Sequence, residues 1–507
     1  MPTKFGRADR WLTGAALLTS LIAASTASAQ QAAPVTPATT PPPPAATTGT
    51  PPQATPVPPP VTVVPTAPLP TLSARQAAQL RTMLADGRMS QGLRMLAANA
   101  RALPEDNDGL VRAALDYARA VHAGRLDTAD FDEEWGLRPG AYDPMPSFVQ
   151  AVKEDKLAGW IGRLPPPYAG YDGLQRGLES YRAIDAAGGW KPVPAGPDLG
   201  VGASGARVAA LRARLAVEDK AVVATGAKFD AELKEAVQRA QRRYGLNPTG
   251  VVSSATLAAL NVPAGDRVRQ IMANMERWRW LPKELPKDRI QVNIAAAVVT
   301  VFDGDNPVMS MRGVTGKPGG GETPMLQSTI HSVVLNPPWN VPSGIAAKEL
   351  FPKGAAYLRA NGFKIIGEGP SRRLQQQPSH SALGKYKFDF DNPYAVYLHD
   401  TPTQATFSRF DRLASHGCIR LERPADLAQL LLRDTPEWNA GQIDDTIAKG
   451  ETVRARLKTQ VAVYLLYWTA FASANGTMNF RGDPYGWDRK LADKIEKRSA
   501  AQAVAAR

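Results

Sequence analysis

Cys418 is the only cysteine in this sequence of 507 residues, and it is the side chain best suited to covalent chemistry. Two of the five histidines precede it closely, His416 by two positions and His399 by nineteen. A free thiol titrates near ~8.5 and needs a neighbouring base to become a thiolate near neutral pH. Histidine is the side chain suited to that task. The pattern therefore predicts acyl transfer through a cysteine nucleophile with a histidine base.

The residues alone leave the choice of base open. If residues 416–418 form an extended strand, His416 shares a face with Cys418. His399 ends a predicted strand and can approach the thiol across a sheet. Gly417 allows the backbone to come close to a substrate. The amides of Gly417 and Cys418 are therefore candidates for holding a developing oxyanion.

A zinc site and a purely structural role are the alternative interpretations of this cluster. Cysteine and histidine are both zinc ligands. However, His-x-Cys with a distant histidine is not a common ligand spacing, and no fourth ligand is clearly placed. The cluster therefore favours a thiol enzyme over a metal site.

The charge and the N-terminal segment indicate an exported protein with an anionic partner. A net charge of +13 suits a cell-wall polymer, a membrane surface or a nucleic acid. The absence of a compact basic run with interleaved aromatics disfavours nucleic acid. Residues 1–29 have a basic start, an apolar stretch at 11–24 and an Ala27-Ser28-Ala29 cleavage site, as in a secretory signal cut after Ala29. The alternative, an uncleaved membrane anchor, is disfavoured because that stretch is shorter than the ~20 residues of a spanning helix.

Composition and periodicity divide the rest of the chain. Residues 30–71 are rich in Pro, Ala and Thr and predict an extended linker. Helical spacing of apolar residues predicts a helical domain at 72–197 and three short helices at 198–264, followed by a return segment at 265–288. A flexible tail is expected at 491–507.

Residues 289–490 form a predicted β-rich domain, so the whole chain is α+β. Ile290, Val292 and Ile294 alternate before an Asp303-Gly304 turn. Further strands are predicted at Ser328–Leu335, Ala395–Leu398 and Val461–Tyr467. Residues 345–390 carry polar and helical patterns between strands, which predicts an insertion.

The motifs around Cys418 resemble the catalytic domain of the L,D-transpeptidases (YkuD type). The signature of that family is a histidine, about fifteen residues, and then Ser/Thr-His-Gly-Cys, and fifteen residues separate His399 from Ser415 here. The wider resemblance, to the large periplasmic branch, spans roughly residues 72–490. It rests on Gly316-Lys317-Pro318, Thr323-Pro324, Asn336-Pro337-Pro338-Trp339-Asn340-Val341-Pro342, Leu383-Gly384-Lys385-Tyr386-Lys387-Phe388, Tyr464-Leu465-Leu466-Tyr467 and Phe480-Arg481-Gly482-Asp483-x-Tyr485-Gly486. Residues 198–264 are similar to a small peptidoglycan-binding module.

The resemblance implies a role for each matching residue. Cys418 is the nucleophile, and His399 rather than His416 is the general base. His416 and Gly417 match positions that shape the oxyanion pocket. The implied substrate-binding residues are Trp339 and Tyr397 of the donor groove, Ser415 of the motif, and Arg420, which clamps a carboxylate or forms a structural ion pair. The 345–390 insertion resembles a capping subdomain, and His331 and His380 receive no role.

The resemblance also implies the reaction. Cys418 attacks the carbonyl of residue three of a peptidoglycan tetrapeptide stem, terminal D-Ala leaves, and the amine of a second stem completes a 3→3 cross-link. No metal or organic cofactor is required, the implied location is the periplasm, and a carbapenem is expected to acylate Cys418. The alternatives are water as acceptor (a carboxypeptidase or endopeptidase), a protein amine as acceptor (an anchoring enzyme), and a non-catalytic wall-binding scaffold.

Overall fold

The computed structural model describes residues 68–93, 102–369 and 372–505. The signal peptide expected at 1–29 and the linker up to residue 67 lie outside the described residues. No helix within the described ranges is long and apolar enough to cross a membrane.

Helices dominate the first half of the described chain. The helices are α1 (Ala74–Ser90), α2 (Asn107–His122), α3 (Met145–Lys153), α4 (Leu157–Gly162), α5 (Ala169–Ala186), α6 (Ala206–Ala216), α7 (Ala231–Arg243), α8 (Ser254–Leu260), α9 (Ala264–Trp278), α10 (Ser343–Ile345), α11 (Gly354–Ala360), α12 (Pro424–Leu432), α13 (Ala440–Lys449) and α14 (Trp487–Ala505). Short 3-10 helices span Thr128–Asp130, Phe351–Lys353, Pro378–His380 and Gln404–Ser408, and a π-helix spans Ala346–Leu350.

Local signals explain where several helices begin. Ser73 and Gln76 form a reciprocal capping box at the start of α1, and Asp230 caps α7 by accepting from the amide of Leu233. Helices α1 to α4 share a hydrophobic core of their own. In the three-helix segment, the buried amide of Gln241 donates to the Val251 carbonyl, which fixes the turn before α8.

Strands form the second half. They are β1 (Asp288–Asn293), β2 (Val298–Asp303), β3 (Asn306–Gly316), β4 (Leu326–Leu335), β5 (Trp339–Asn340), β6 (Phe363–Ile366), β7 (Arg373–Gln376), β8 (Tyr386–Phe390), β9 (Leu398–His399), β10 (Leu413–Ser415), β11 (Ile419–Leu421), β12 (Val453–Leu466), β13 (Ala470–Ala472) and β14 (Met478–Phe480). The described chain is therefore a mixed α+β structure, as the sequence predicted.

The main sheet has nine strands in the order β10-β3-β11-β9-β8-β4-β12-β1-β2, and β3 also pairs with β2. The first part of β3 pairs with β2, and its end pairs with β11. Because β2 is the last strand in this order, its pairing with β3 closes the sheet on itself. The inward face is apolar and includes Val333, Phe388, Leu398 and Ile419, each fully buried. Because side chains alternate along a strand, their chain neighbours point to the outward face.

A small subdomain, here called the cap, lies between β4 and β8. Its three-stranded sheet has the order β5-β7-β6, and α10, α11 and the π-helix complete it. The cap has its own core, in which Leu350, Phe363 and Leu374 are buried. The expected insertion at 345–390 is wrong at both ends. Pairing begins at Trp339 in β5, and β8 (residues 386–390) belongs to the main sheet because it pairs with β4.

The tail that was expected to be flexible at 491–507 is helical as far as Ala505, where α14 ends. Leu491 is fully buried and Ile495 nearly so, and these two residues lie one helical turn apart. Lys494 extends from the same helix to pair with Asp132 at 3.2 Å. The Lys-, Ala- and Arg-rich composition concealed this apolar stripe.

Candidate active site

Pairing of two short parallel strands brings the predicted base and nucleophile to one place. In β9 and β11, Leu398 aligns with Ile419 and His399 aligns with Arg420. The Ile419 amide donates to the Tyr397 carbonyl at 3.0 Å, which places Cys418 beside Tyr397. Strand pairing therefore brings the region of Cys418 next to that of His399, although the two residues are nineteen positions apart in the sequence.

The outward face of the sheet carries the polar residues of the site. Lys387 of β8 aligns with His399, so Lys387, His399 and Arg420 form one row across three strands. Tyr397 lies between the other groups: its ring centroid is 5.6 Å from that of His399, and the Lys387 ammonium lies 4.4 Å from its ring centroid. This face is thus polar and cationic, opposite the apolar core face.

The turn at residues 415–418 is held by hydrogen bonds from both sides. The Ser415 hydroxyl donates to the Cys418 carbonyl at 2.6 Å and accepts from the Gly417 amide at 3.2 Å. The Thr323 hydroxyl donates to the Gly417 carbonyl at 2.7 Å. Gly417 has φ +113°, a conformation that L side chains rarely adopt, so a residue with a Cβ would be strained there.

This turn corrects the expectation that the amides of both Gly417 and Cys418 face an oxyanion. The Gly417 amide is engaged by Ser415, and the Ile419 amide by Tyr397. The Cys418 amide has no hydrogen-bond partner among the described residues. It is therefore the backbone donor that remains for a developing oxyanion at the thiol.

His416 contacts the cap through its ring. The prediction that His416 and Cys418 share a strand face is wrong, because the positive φ of Gly417 breaks the extended path between them. The exposed His416 ring instead meets the cap, with Nε2 2.7 Å from Oε1 of Glu349 in the π-helix. The catalytic turn and the cap are thus joined directly through this contact.

His399 is buried, with only 4 % of its surface exposed. Its Nδ1 donates to the Asp400 carbonyl, which only accepts, so we assign the proton to Nδ1 and the basic lone pair to Nε2. Burial, followed by the positive charge of Arg420, lowers the pKa of His399 to about 3. The imidazole is therefore neutral at neutral and at mildly acidic pH.

Cys418 is half-buried, and burial raises the pKa of its thiol. Contacts with Tyr397 and the charges of Lys387 and Arg420 act in the opposite direction without outweighing burial. Sγ lies 3.9 Å from the Ala395 carbonyl, and no hydrogen bond joins it to His399 in the described structure. The resting pair is thus a neutral thiol near a neutral imidazole.

The predicted substrate-binding residues surround this pair. The Tyr397 hydroxyl contacts both Cys418 and Trp339 of the cap, and burial raises the pKa of Tyr397. Burial also lowers the pKa of Arg420, whose Nε is buried with no hydrogen-bond partner among the described residues. An unpartnered donor beside the thiol suits an incoming anionic group.

Sequence reasoning assigned no role to Lys387, Asp400 or Glu349. The alternation of polar and apolar residues in Lys385-Tyr386-Lys387-Phe388 was a signal for Lys387, because it marks one exposed strand face. Glu349 left no signal, since its contact with His416 crosses 67 positions of sequence. Within the described ranges, no group of three His, Cys, Asp or Glu side chains is placed to hold a metal ion.

Comparison with known protein families matches three segments of the chain. Residues 287–444 match the family described as "L,D-transpeptidase catalytic domain". Residues 204–260 match the "Putative peptidoglycan binding domain", and residues 93–178 match the "Scaffold domain".

A curated protein of Haemophilus influenzae named "Putative L,D-transpeptidase" is 30 % identical over 243 residues, which are 44 % of this chain and 49 % of that protein. The chain thus spans about half the length of this relative. Solved L,D-transpeptidases from Xylanimonas cellulosilytica and Stackebrandtia nassauensis each match 54 % of this chain and 100 % and 97 % of their own, with 16 % and 13 % identity and TM-scores of 0.19 and 0.23. Because these TM-scores are low, the fold described above is based only on the strands and helices of this chain.

Proposed function

We propose that this chain, which carries an L,D-transpeptidase catalytic domain at residues 287–444, forms 3→3 cross-links in peptidoglycan through an acyl-enzyme on Cys418. The observation that carries the proposal is the pairing of β9 with β11, because it brings His399, a buried neutral imidazole, onto the strand next to the one that follows Cys418. A nucleophile with a neutral base on the adjacent strand is the arrangement that acyl transfer requires.

The first half of the reaction forms the thioester. His399 Nε2 takes the thiol proton as Sγ attacks the carbonyl of residue three of a tetrapeptide stem. The Cys418 amide stabilises the tetrahedral oxyanion. The imidazolium then returns its proton to the departing amine of terminal D-Ala, and the carbon–nitrogen bond breaks.

The second half transfers the acyl group. The side-chain amine of diaminopimelate in another stem attacks the thioester carbonyl, and His399 takes a proton from that amine. The sulfur leaves and is protonated, which restores the thiol. Arg420 holds a donor carboxylate through its unpartnered Nε, and Trp339 and Tyr397 line the donor groove. No metal or organic cofactor takes part.

The rivals share the acyl-enzyme and differ in the acceptor. Water would make a carboxypeptidase or endopeptidase, and a protein amine would make an anchoring enzyme. We favour the stem amine because residues 204–260 match a peptidoglycan-binding family, which would keep the enzyme on a polymer rich in such amines. A non-catalytic scaffold is disfavoured because the strand of His399 pairs with the strand that follows Cys418.

The proposed location is the periplasm, after removal of a signal peptide at Ala29. A domain arrangement of helical scaffold, peptidoglycan-binding module and catalytic domain suits a wall-bound enzyme. We also propose that a carbapenem acylates Cys418, because its strained lactam carbonyl resembles the donor carbonyl. Relatives solved in complex with imipenem and with a faropenem-derived adduct support this proposal.

Mass spectrometry of muropeptides after incubation with tetrapeptide-bearing peptidoglycan tests the function. The wild-type protein should release D-Ala and produce tetrapeptide–tripeptide dimers, and the Cys418→Ala variant should do neither while unfolding at the same temperature. Dimers formed by Cys418→Ala would refute the covalent mechanism. Tripeptides without dimers would identify water as the acceptor. A mass increase with a carbapenem that persists in Cys418→Ala would refute the adduct site.

A further inference from the structure

A cavity of about 750 Å³ opens on the outward face of the main sheet, away from the thiol. Its lining comes from the facing parts of β4 and β12 and from Asp391 just after β8. The lining residues are Ser328, Thr329, His331, Asp391, Arg454, Arg456, Leu457 and Gln460.

A break in strand pairing creates this cavity. Arg456 aligns with Ser332 and Val461 aligns with Ile330, so four residues of β12 face only His331 of β4. His331 is also the extra residue on the other side, where Ile330 and Ser332 align with consecutive residues of β8. Such bulges bend a strand and re-aim side chains, and they are frequent beside active sites.

The cavity continues toward Cys418. A second cavity of about 360 Å³ shares His331, Asp391 and Arg454 with the first and extends to Ala395 and Tyr397. The Ala395 carbonyl lies 3.9 Å from the thiol sulfur, and Tyr397 contacts the thiol. One groove therefore runs from the nucleophile to the bulge.

One row of register partners runs across five strands beneath the groove. Arg456 aligns with Ser332 and Ser332 with Asp389. Extending the β8–β9 and β9–β11 registers by one residue adds Tyr397 and Cys418. Four strand spacings of ~4.8 Å give about 19 Å from thiol to Arg456. An extended four-residue stem covers up to ~14 Å of that length, and the long Arg456 side chain can reach toward the remainder.

The groove has a surplus of positive charge at its far end. Asp389 is already paired with Lys387 and with Arg454, each at 2.6 Å. Asp391 is fully exposed and lies 3.7 Å from His331, a geometry that contributes little. The Arg456 side chain is exposed and forms no ion pair or hydrogen bond with any residue in the described ranges. Its guanidinium has all its donors available for a carboxylate.

We propose that Arg456, with Arg454 and His331 beside it, binds a carboxylate of a stem peptide whose reacting group lies at Cys418. The identity of the peptide rests on the proposed function, while the site itself rests on the bulge, the groove and the charge. Either the donor stem or the acceptor stem supplies a carboxylate, and kinetics separate the two sources.

Binding to the full-length Cys418→Ala protein tests the site without turnover. The probes are a synthetic tetrapeptide stem and the same peptide with its carboxylates amidated, titrated by calorimetry. Arg456→Gln should weaken binding of the acidic peptide by about tenfold, the value of one charge-assisted hydrogen bond, and leave the amidated peptide unchanged. Lys458→Gln is the matched control, because it removes one charge from the same bulge at a residue that does not line the cavity.

Equal binding of the acidic peptide by the Arg456→Gln protein and its parent would overturn the inference. Equal weakening by Lys458→Gln would also overturn it, since the effect would then be general charge. With Cys418 restored, a higher half-saturating donor concentration for acylation assigns the carboxylate to the donor. A higher half-saturating acceptor concentration for aminolysis assigns it to the acceptor. Charge-dependent binding without acylation would refute the proposed function and leave the carboxylate site standing.

Discussion

Burial of neutral His399 should make the folded protein sensitive to mild acid. The pKa of His399 is lowered from its ordinary value of 6.5 to about 3, by burial first and by Arg420 second. The unfolded chain leaves the ring in water, where it takes up a proton near pH 6.5. As the pH falls from 6.5 toward 3, the unfolded state binds a proton that the folded state does not. Stability must therefore decrease over that range.

The size of the loss follows from the two pKa values. At roughly 1.36 kcal/mol per pKa unit, the complete loss below pH 3 is roughly 4–5 kcal/mol. At pH 4.5, two units below 6.5, it is about 2.7 kcal/mol. A glutamine at position 399 does not titrate. The His399→Gln variant should therefore lose about 2.7 kcal/mol less than the wild type between pH 7.5 and 4.5, whatever its stability at neutral pH.

Urea unfolding at pH 7.5 and pH 4.5 measures this difference. Cys418→Ala is the matched control, because it alters the same site and the thiol that it removes is neutral at both pH values. The control should show the wild-type pH dependence. If His399→Gln and the wild type lose equal stability on acidification, the buried imidazole is not held neutral, and the electrostatic description of the site is incorrect.

Further predictions concern the reaction and the cap. Single-turnover acylation should be nearly independent of pH from 5 to 8, because both Cys418 and His399 stay neutral over that range; a tenfold rise per pH unit would indicate a preformed thiolate instead. His399→Ala should slow acylation by ~10²–10⁴-fold, the usual value of a general base, and should exceed the effect of His416→Ala; the reverse order in stopped-flow traces would assign the base to His416. Glu349→Gln should weaken the contact between the cap and His416 and raise the ratio of tripeptide to dimer in muropeptide profiles, because a loosened cap admits water to the thioester. Shortening the cap should raise that ratio further. An unchanged ratio in both proteins would show that the cap does not control which acceptor is used.

The sequence predicted the nucleophile neighbourhood because the relevant residues are rare and close together. A lone cysteine with two nearby histidines restricts the chemistry by residue type and spacing alone. The orientation of His416 could not be predicted, since it depends on the positive φ of Gly417 and on Glu349, which is 67 positions away. The burial of His399, which sets its pKa, likewise depends on packing that a local pattern does not encode.

The strands were predicted where alternation was clear. The region around Ile290 forms β1, and Ser328–Leu335 falls within β4. Ala395–Leu398 was wrong for most of its length, because Ala395 has φ +53° and the strand begins only at Leu398. The predicted strand at Val461–Tyr467 matches the second half of β12, which ends at Leu466, and the first half carries too many charges to stand out.

Four features that break local rules lie close to one line across the sheet, although Asp155, Ala297 and Asn336 also have positive φ elsewhere. Gly417 and Ala395 have left-handed backbone, Arg420 keeps an unpartnered Nε, and His331 occupies a bulge opposite four residues of β12. Left-handed backbone at Ala395 and an unpartnered buried donor at Arg420 each cost stability, and such costs are often kept at functional sites. Their alignment with Cys418 indicates that the unfavourable geometry is kept for the groove. We therefore expect the Arg456 end of the groove to contribute to substrate binding, as the Cys418 end contributes to the reaction.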